Sequence, residues 1–228
     1  MRAALSDPRL RETLQRFAEG YLEARAAAFA GLDFDELSGR IRSIKERAIA
    51  DLPRLVEGFA GRAREAGATV FLAPDARAAR EYVSGLAARH GARLVVKAKS
   101  MVTEEVGLNA HLRDRGIEVL ETDLGERIVQ LAGERPSHLL MPAIHKSRGE
   151  VAALLGADRA AAGQGGGGGS GGGHACPADA ADISSLVRTV RESLRRPMLR
   201  ARVGVSGANV AVADTGAVVL VTNEGNGR

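Results

Sequence analysis

The chain has one cysteine, Cys176, no tryptophan, and only 3% aromatic residues. A single thiol excludes an intrachain disulfide framework. It also excludes an iron–sulfur or structural zinc site built from this chain's cysteines alone, because such sites need about three or four thiolates. The shortage of aromatic rings removes the platforms on which nucleobases stack. Charge is nearly balanced, with 32 Lys and Arg against 28 Asp and Glu and a net +4. A pI near 9.7 on so small an excess is not a nucleic-acid footprint, and no nucleic-acid partner is expected. No apolar run approaches the roughly 18 residues of a membrane span. Met1 to Pro8 carries no hydrophobic leader core, so a cytoplasmic protein is expected.

What is present is the make-up of an ordinary globule: 228 residues, 45% hydrophobic and 26% charged, enough for one large domain or two small ones. Residues 1–67 read as a helical arm. Asp7-Pro8 is an N-cap with proline at the first helical position, followed by Leu10, Leu14, Phe17 and Tyr21 at helical spacing. Asp33, with Glu36 three residues on, starts a second helix whose stripe is Leu37, Ile41, Ile44, Ala48 and Leu52. Pro53 kinks or restarts it.

Residues 68–228 read as an α/β domain. Short apolar runs at 69–73, 93–98, 117–122, 128–131 and 138–143 predict strands, with helices over 76–90, over 103–115 capped by Thr103, and over 146–155. Strands alternating with helices imply right-handed crossovers and a mostly parallel sheet, with ligands beyond the carboxyl ends of its strands. Residues 163–173 hold nine of the 28 glycines and read as a flexible loop or linker. No Gly-Lys-Ser/Thr follows, so they are not a phosphate loop. A helix capped by Asp179 or Asp182 follows, apolar on one face and basic on the other through Arg188, Arg191, Arg195, Arg196 and Arg200. Asn209–Val212 and Ala217–Val221 flank Asp214-Thr215-Gly216, a hairpin signal. The terminal Thr222–Arg228 is turn chemistry with no element after it, so the domain is expected to be cut short at its C-terminus.

Several residues admit a chemical and a structural reading. The loop from Lys97 to Glu105 leaves a strand and enters a helix N-terminus, where Lys99, Ser100 and the backbone N–H groups favour an anion. Helix capping by Thr103 accounts for the same residues. Glu121, Asp123 and Glu126, with Glu104 and Glu105, suit proton transfer or a hard metal; they equally suit turns and caps. His145 lies at the ligand-binding rim of a strand, where an imidazole suits acid–base work, or packs there. His174 and Cys176 are too few for a metal site.

The ordered segments Val96–Glu105, Glu121–Glu126, Gln130–His138, Pro142–Lys146, Ser206–Asn209, Asp214–Gly216 and Thr222–Arg228 together resemble the LUD (lactate utilisation) domain family, of the LutB type found in the iron–sulfur subunit of bacterial L-lactate oxidation systems. The resemblance implies a fold similar to ribose-5-phosphate isomerase, glucosamine-6-phosphate deaminase and the CoA transferases. It implies a part in oxidising L-lactate to pyruvate beside LutA-like and LutC-like subunits, and [4Fe–4S] clusters in a cysteine-rich region beyond this chain, with none held here. The chain is then the LUD domain of an oxidoreductase complex, itself inactive in electron transfer.

With the family's motifs at the strand ends, the expected site follows. Lys99, Ser100 and Thr103 take an anionic group, and Glu104, Asp123 and His145 serve as polar or acid–base residues. Glu126, Asn209, Thr215, Asn223, Glu224 and Asn226 complete a pocket for a small carboxylate or phosphate. The alternative is a domain that binds or transforms a phosphate or acyl compound without redox chemistry. Association into a homo-oligomer fits an unpaired sheet edge.

Overall fold

The computed structural model describes residues 6–138, 141–161, 182–222 and 225–227. They divide into two compact units: the residues up to Leu72 with Ala208–Val221, and Ala73–Gly207 with Thr222–Arg228.

The first unit is helical with a small hairpin. Asp7 caps α1 (Pro8–Ala28), its carboxylate accepting from the N–H groups of Arg9 and Leu10 at 2.9 and 3.2 Å. Asp33 caps α2 (Phe34–Ala50) through the Glu36 N–H at 2.9 Å. The corner between them is closed by Phe29 and Phe34 meeting edge to face at 5.0 Å, with the Arg25 guanidinium over both rings. At Asp51 the helix breaks and α3 (Leu52–Glu65) restarts with Pro53 in its first turn, the restart that proline permits. Within the hairpin, β4 (Val210–Ala211) pairs antiparallel with β5 (Val218–Val219). Gly216 turns it at φ +72°, and a Cβ there would lie 2.3 Å from the Ala63 amide nitrogen. Only glycine lets the turn sit that close to α3.

The second unit carries the sheet. Asp75 caps α4 (Ala76–Arg89) through the Ala78 N–H at 2.7 Å. There follow β1 (Leu94–Lys97), the short α5 (Met101–Glu105) and α6 (Leu108–Arg113), β2 (Glu118–Glu121), α7 (Leu124–Ala132), α8 (Arg148–Ala161), α9 (Ile183–Arg200) and β3 (Val203–Val205). The strands lie in the order β2-β1-β3, all parallel, with Val95 opposite Val119 and Val203, and Lys97 opposite Glu121 and Val205. The pleat sends alternate side chains to opposite faces. Val95 and Val119 pack with Ala87, Leu108, Leu112, Ile117 and Val203 on one face. On the other, Leu120 packs with Leu155, Val190 and Leu194, joined by Leu94 and Val96. Covered faces on both sides are what a parallel sheet requires.

The expected hairpin, β1, β2 and most helices are present. Four expectations fail. Residues 69–73 form no strand: they belong to neither of the described sheets, and Phe71 and Leu72 are exposed. Residues 128–131 lie inside α7, because Leu124, Ile128 and Leu131 form a helical stripe longer than the four-residue run that suggested a strand. Of the strand expected at 138–143, residues 139 and 140 lie outside the described residues, and their neighbours form a bend and a turn, with Pro142 supplying no amide donor. The first helix after β1 is capped by Ser100, whose Oγ accepts from the Thr103 N–H at 3.3 Å, rather than by Thr103. The glycine-rich stretch 163–173 and Asp179 lie outside the described residues; α9 starts after Asp182.

Leu112, with no exposed surface, tests the assignment of the core. Leu112→Ala is expected to destabilise the sheet unit by about 3 kcal/mol in urea unfolding, whereas Leu72→Ala, at an exposed position, changes it by less than about 0.5 kcal/mol.

Candidate functional site

At the carboxyl end of β1 the pleat turns Lys97 toward the same face as Val95, and the side chain is fully buried. Its ammonium lies 3.0 Å from Glu121 Oε1 and 2.7 Å from Glu104 Oε1, and donates to Thr103 Oγ1 at 3.1 Å. Glu121 is placed by register, directly opposite Lys97 on β2. Glu104 and Thr103 are delivered by α5, which begins immediately beyond the strand. Gly107 at φ +68° then separates α5 from α6, and Asn109 on α6 donates to Glu121 Oε1 at 2.6 Å.

Burial by itself would lower the Lys97 pKa. The Glu121 charge and the hydrogen bonds to Glu104 and Glu121 outweigh it, and the value ends above that of an ordinary lysine. Glu121 is raised, chiefly by burial, against the opposing pull of Lys97 and Asn109. Glu126 is also raised, again by burial first, with the Lys99 charge opposing at 3.8 Å.

Two adjoining clefts open beside this network. One, of about 230 Å³, is lined among others by Thr103, Glu104, Asn109, Glu121, Gln130 and Arg113. The other, of about 640 Å³, is lined among others by Lys99, Ser100, Met101 and Glu105. Glu104, Glu126, Arg135 and Pro136 border both. Gln130 ties α7 to β2: its Nε2 donates to the Val119 carbonyl at 2.7 Å, and its Oε1 accepts from the Glu121 N–H at 3.2 Å.

His145 stands in a turn after the second cleft's wall. Its Nε2 lies 2.7 Å from Glu134 Oε2 and its Nδ1 2.6 Å from Ser137 Oγ. Lys146 also donates to Glu134. Hydrogen bonds from Lys146 and then His145 hold the Glu134 carboxyl below the usual range. His145 therefore reaches the 230 Å³ cleft only through Glu134, which lines it.

Of the sequence candidates, Lys99, Ser100, Thr103, Glu104 and Glu126 border these clefts. Ser100 is buried as the cap of α5, and Thr103 Oγ1 also donates to the Ser100 carbonyl at 2.7 Å. Asp123 is the N-terminal flanking residue of α7 without a side-chain capping bond. Asn226 donates to Thr122 Oγ1 at 3.0 Å, and Thr122 Oγ1 in turn donates to the Lys97 carbonyl, so the C-terminal segment is pinned to the end of β1. Asn209 and Thr215 serve the hairpin of the first unit, accepting from the Val221 and Ala217 N–H groups. Asn223 and Glu224 lie outside the described residues.

Sequence reasoning passed over Lys97, Asn109, Arg113, Gln130, Glu134 and Arg135. Lys97 had a signal: it closes an apolar run two residues after Val95, the spacing of a buried strand face. Asn109 and the arginines had none, since their positions are set by how α6 and α7 pack.

Residues 56–228 match the LUD domain family. The chain is 35% identical over 212 residues to lactate utilization protein B of Oceanobacillus iheyensis, covering 92% of this chain and 40% of that protein. It is 36% identical to the protein of the same name from an Exiguobacterium species, covering 86% of this chain and 38% of that one. It is also 36% identical to an Escherichia coli protein named an uncharacterized electron transport protein, YkgF, with the same coverage. The chain thus spans about two fifths of the length of these relatives. No solved structure matches it.

Removing Lys97 leaves Glu121 buried without a counter-charge. Lys97→Met is expected to cost about 3–5 kcal/mol in denaturant unfolding. Glu126 gives a pH test. Its native pKa lies above its unfolded value, so its contribution to stability is complete below the unfolded value near 4.5 and is lost as pH rises through the native one. Glu126→Gln is therefore expected to show a smaller gain in Tm than the unaltered chain between pH 7 and pH 4.5. Glu134, whose pKa is lowered, acts in the opposite direction and only as pH falls below about 4.5.

Proposed function

The chain belongs to the LUD domain family, and from that premise we propose that it is the LUD-domain part of a subunit like lactate utilization protein B, in a bacterial system that oxidises L-lactate to pyruvate. Its task is to bind a small carboxylate at the clefts beside Lys97. Lys99, Ser100 and Thr103 face the anionic group. Glu104, Asp123 and His145 supply acid–base or polar contacts, and Glu126 and Asn226 help close the site. The sheet belongs to the ribose-5-phosphate isomerase and CoA-transferase type of fold, which its parallel pairing supports. LutA-like and LutC-like subunits are the partners.

A [4Fe–4S] cluster takes about four thiolates, and this chain has one cysteine. Among the described residues no group of three or more His, Cys, Asp or Glu side chains is arranged to hold a metal ion. The residues do not fit such a cluster, and in this reading electron transfer falls to residues outside this chain. Among the described residues no helix is long and apolar enough to cross a membrane.

The observation that carries the reading is the convergence of Lys99, Ser100, Thr103, Glu104 and Glu126 on adjoining clefts just past the end of β1, where ligands of such sheets bind. A thermal melt of the whole chain with L-lactate, pyruvate, inorganic phosphate or coenzyme A tests it. A small carboxylate at about a hundredfold over its Kd is expected to raise Tm by about 5 °C or more. A rise with phosphate or coenzyme A alone would instead establish a phosphate- or acyl-binding domain and overturn the lactate reading.

A further inference from the structure

Two oxygens at the 230 Å³ cleft lack a hydrogen-bond donor. Glu121 uses Oε1 for both Lys97 and Asn109, while its Oε2 and the Asn109 Oδ1 are buried and accept from no donor among the described residues. Glu121 is 3% exposed, a setting in which an unsatisfied acceptor is costly. Lys97 cannot supply the donor, because its three N–H groups are met by Thr103, Glu104 and Glu121. Gln130, which lines the same cleft, spends its amide on the Val119 carbonyl.

Arg113 and Arg135 line this cleft as well. Both are exposed and neither has an ion pair among the described residues. A guanidinium presents a fork of donors that matches a carboxylate. Glu104, Glu126 and Glu134 share the lining, so the two arginines are the groups there able to hold a carboxylate.

A ligand that answers both features carries a carboxylate and, close to it, a hydrogen-bond donor. A 2-hydroxy acid has both. A 2-oxo acid brings another acceptor to two acceptors that are already unpaired. We propose that this cleft is a 2-hydroxycarboxylate pocket in which Arg113 and Arg135 take the carboxylate while the hydroxyl donates its one hydrogen to Asn109 Oδ1, so that it holds lactate in preference to pyruvate. The inference rests on the function proposed above and adds to it the groups that tell substrate from product. Sites built around a substrate hydroxyl reject the analogue lacking it because their own polar groups are then left unpaired.

Isothermal titration of the whole chain with L-lactate, pyruvate, propionate and L-alanine tests this. L-Lactate is expected to bind about tenfold or more tightly than pyruvate and propionate. Arg113→Ala and Arg135→Ala are expected to weaken all three acids alike, and Asn109→Leu to bring lactate down toward pyruvate while leaving pyruvate unchanged. Equal binding of lactate and pyruvate overturns the hydroxyl assignment and leaves carboxylate binding by the domain standing. Binding of none of the acids overturns both. Tightest binding of L-alanine overturns it in favour of an ammonium donor. The ranking of ligands is read on the unaltered chain and does not depend on any variant folding.

Discussion

A charged lysine with no exposed surface sets the terms for the sheet unit. Taking an ammonium out of water costs several kcal/mol unless opposite charge and hydrogen bonds meet it, and here Glu121, Glu104 and Thr103 all do. That requirement fixes register. Slipping β1 by one residue against β2 would turn Lys97 to the other face, among the apolar side chains of Leu120, Leu155, Val190 and Leu194. The hydrophobic pattern of Leu94–Lys97 favours the observed pairing; the ion pair forbids its nearest competitor.

The same constraint positions the loops. Because Glu104 must reach Lys97 from just past the strand, α5 has to begin at once, which the Ser100 cap allows. Because the Glu121 carboxylate is shared with Asn109, α6 has to redirect after α5, and Gly107 in the left-handed region provides the break. Thr122 and Asn226 extend the network to the C-terminal segment. One charge at the end of a central strand thus organises elements more than a hundred residues apart in sequence.

How legible this was depended on the range of the interactions. Caps are local, so Asp7 and Asp33 were found from their spacing, and the hairpin from Asp214-Thr215-Gly216. The strands β1 and β2 were found from short apolar runs bounded by glycine. The same rule misread 128–131, where four apolar-rich residues belong to the stripe of a nine-residue helix, and 69–73, whose apolar residues join neither of the described sheets. In the site, the loop past β1 was legible because parallel sheets bind ligands there. Lys97, although written in that loop, was passed over because its meaning comes from Glu121, a partner 24 positions on that only register supplies. Arg113, Arg135 and Asn109 meet at a cleft through helix packing, which periodicity does not report.

The network also limits the chemistry available to Lys97. A lysine becomes a nucleophile when burial or a nearby cation lowers its pKa and frees its lone pair. Lys97 is buried, but two carboxylates more than offset the burial and keep the amine protonated. Its three hydrogens point at fixed acceptors, so attack on a carbonyl would require breaking the contacts that hold the strand ends together. Lys97 is therefore suited to hold Glu121 and Glu104 in place rather than to form a covalent intermediate. The buried pair thus fixes where the two carboxylates stand, and the exposed guanidiniums of Arg113 and Arg135 line the cleft beside them.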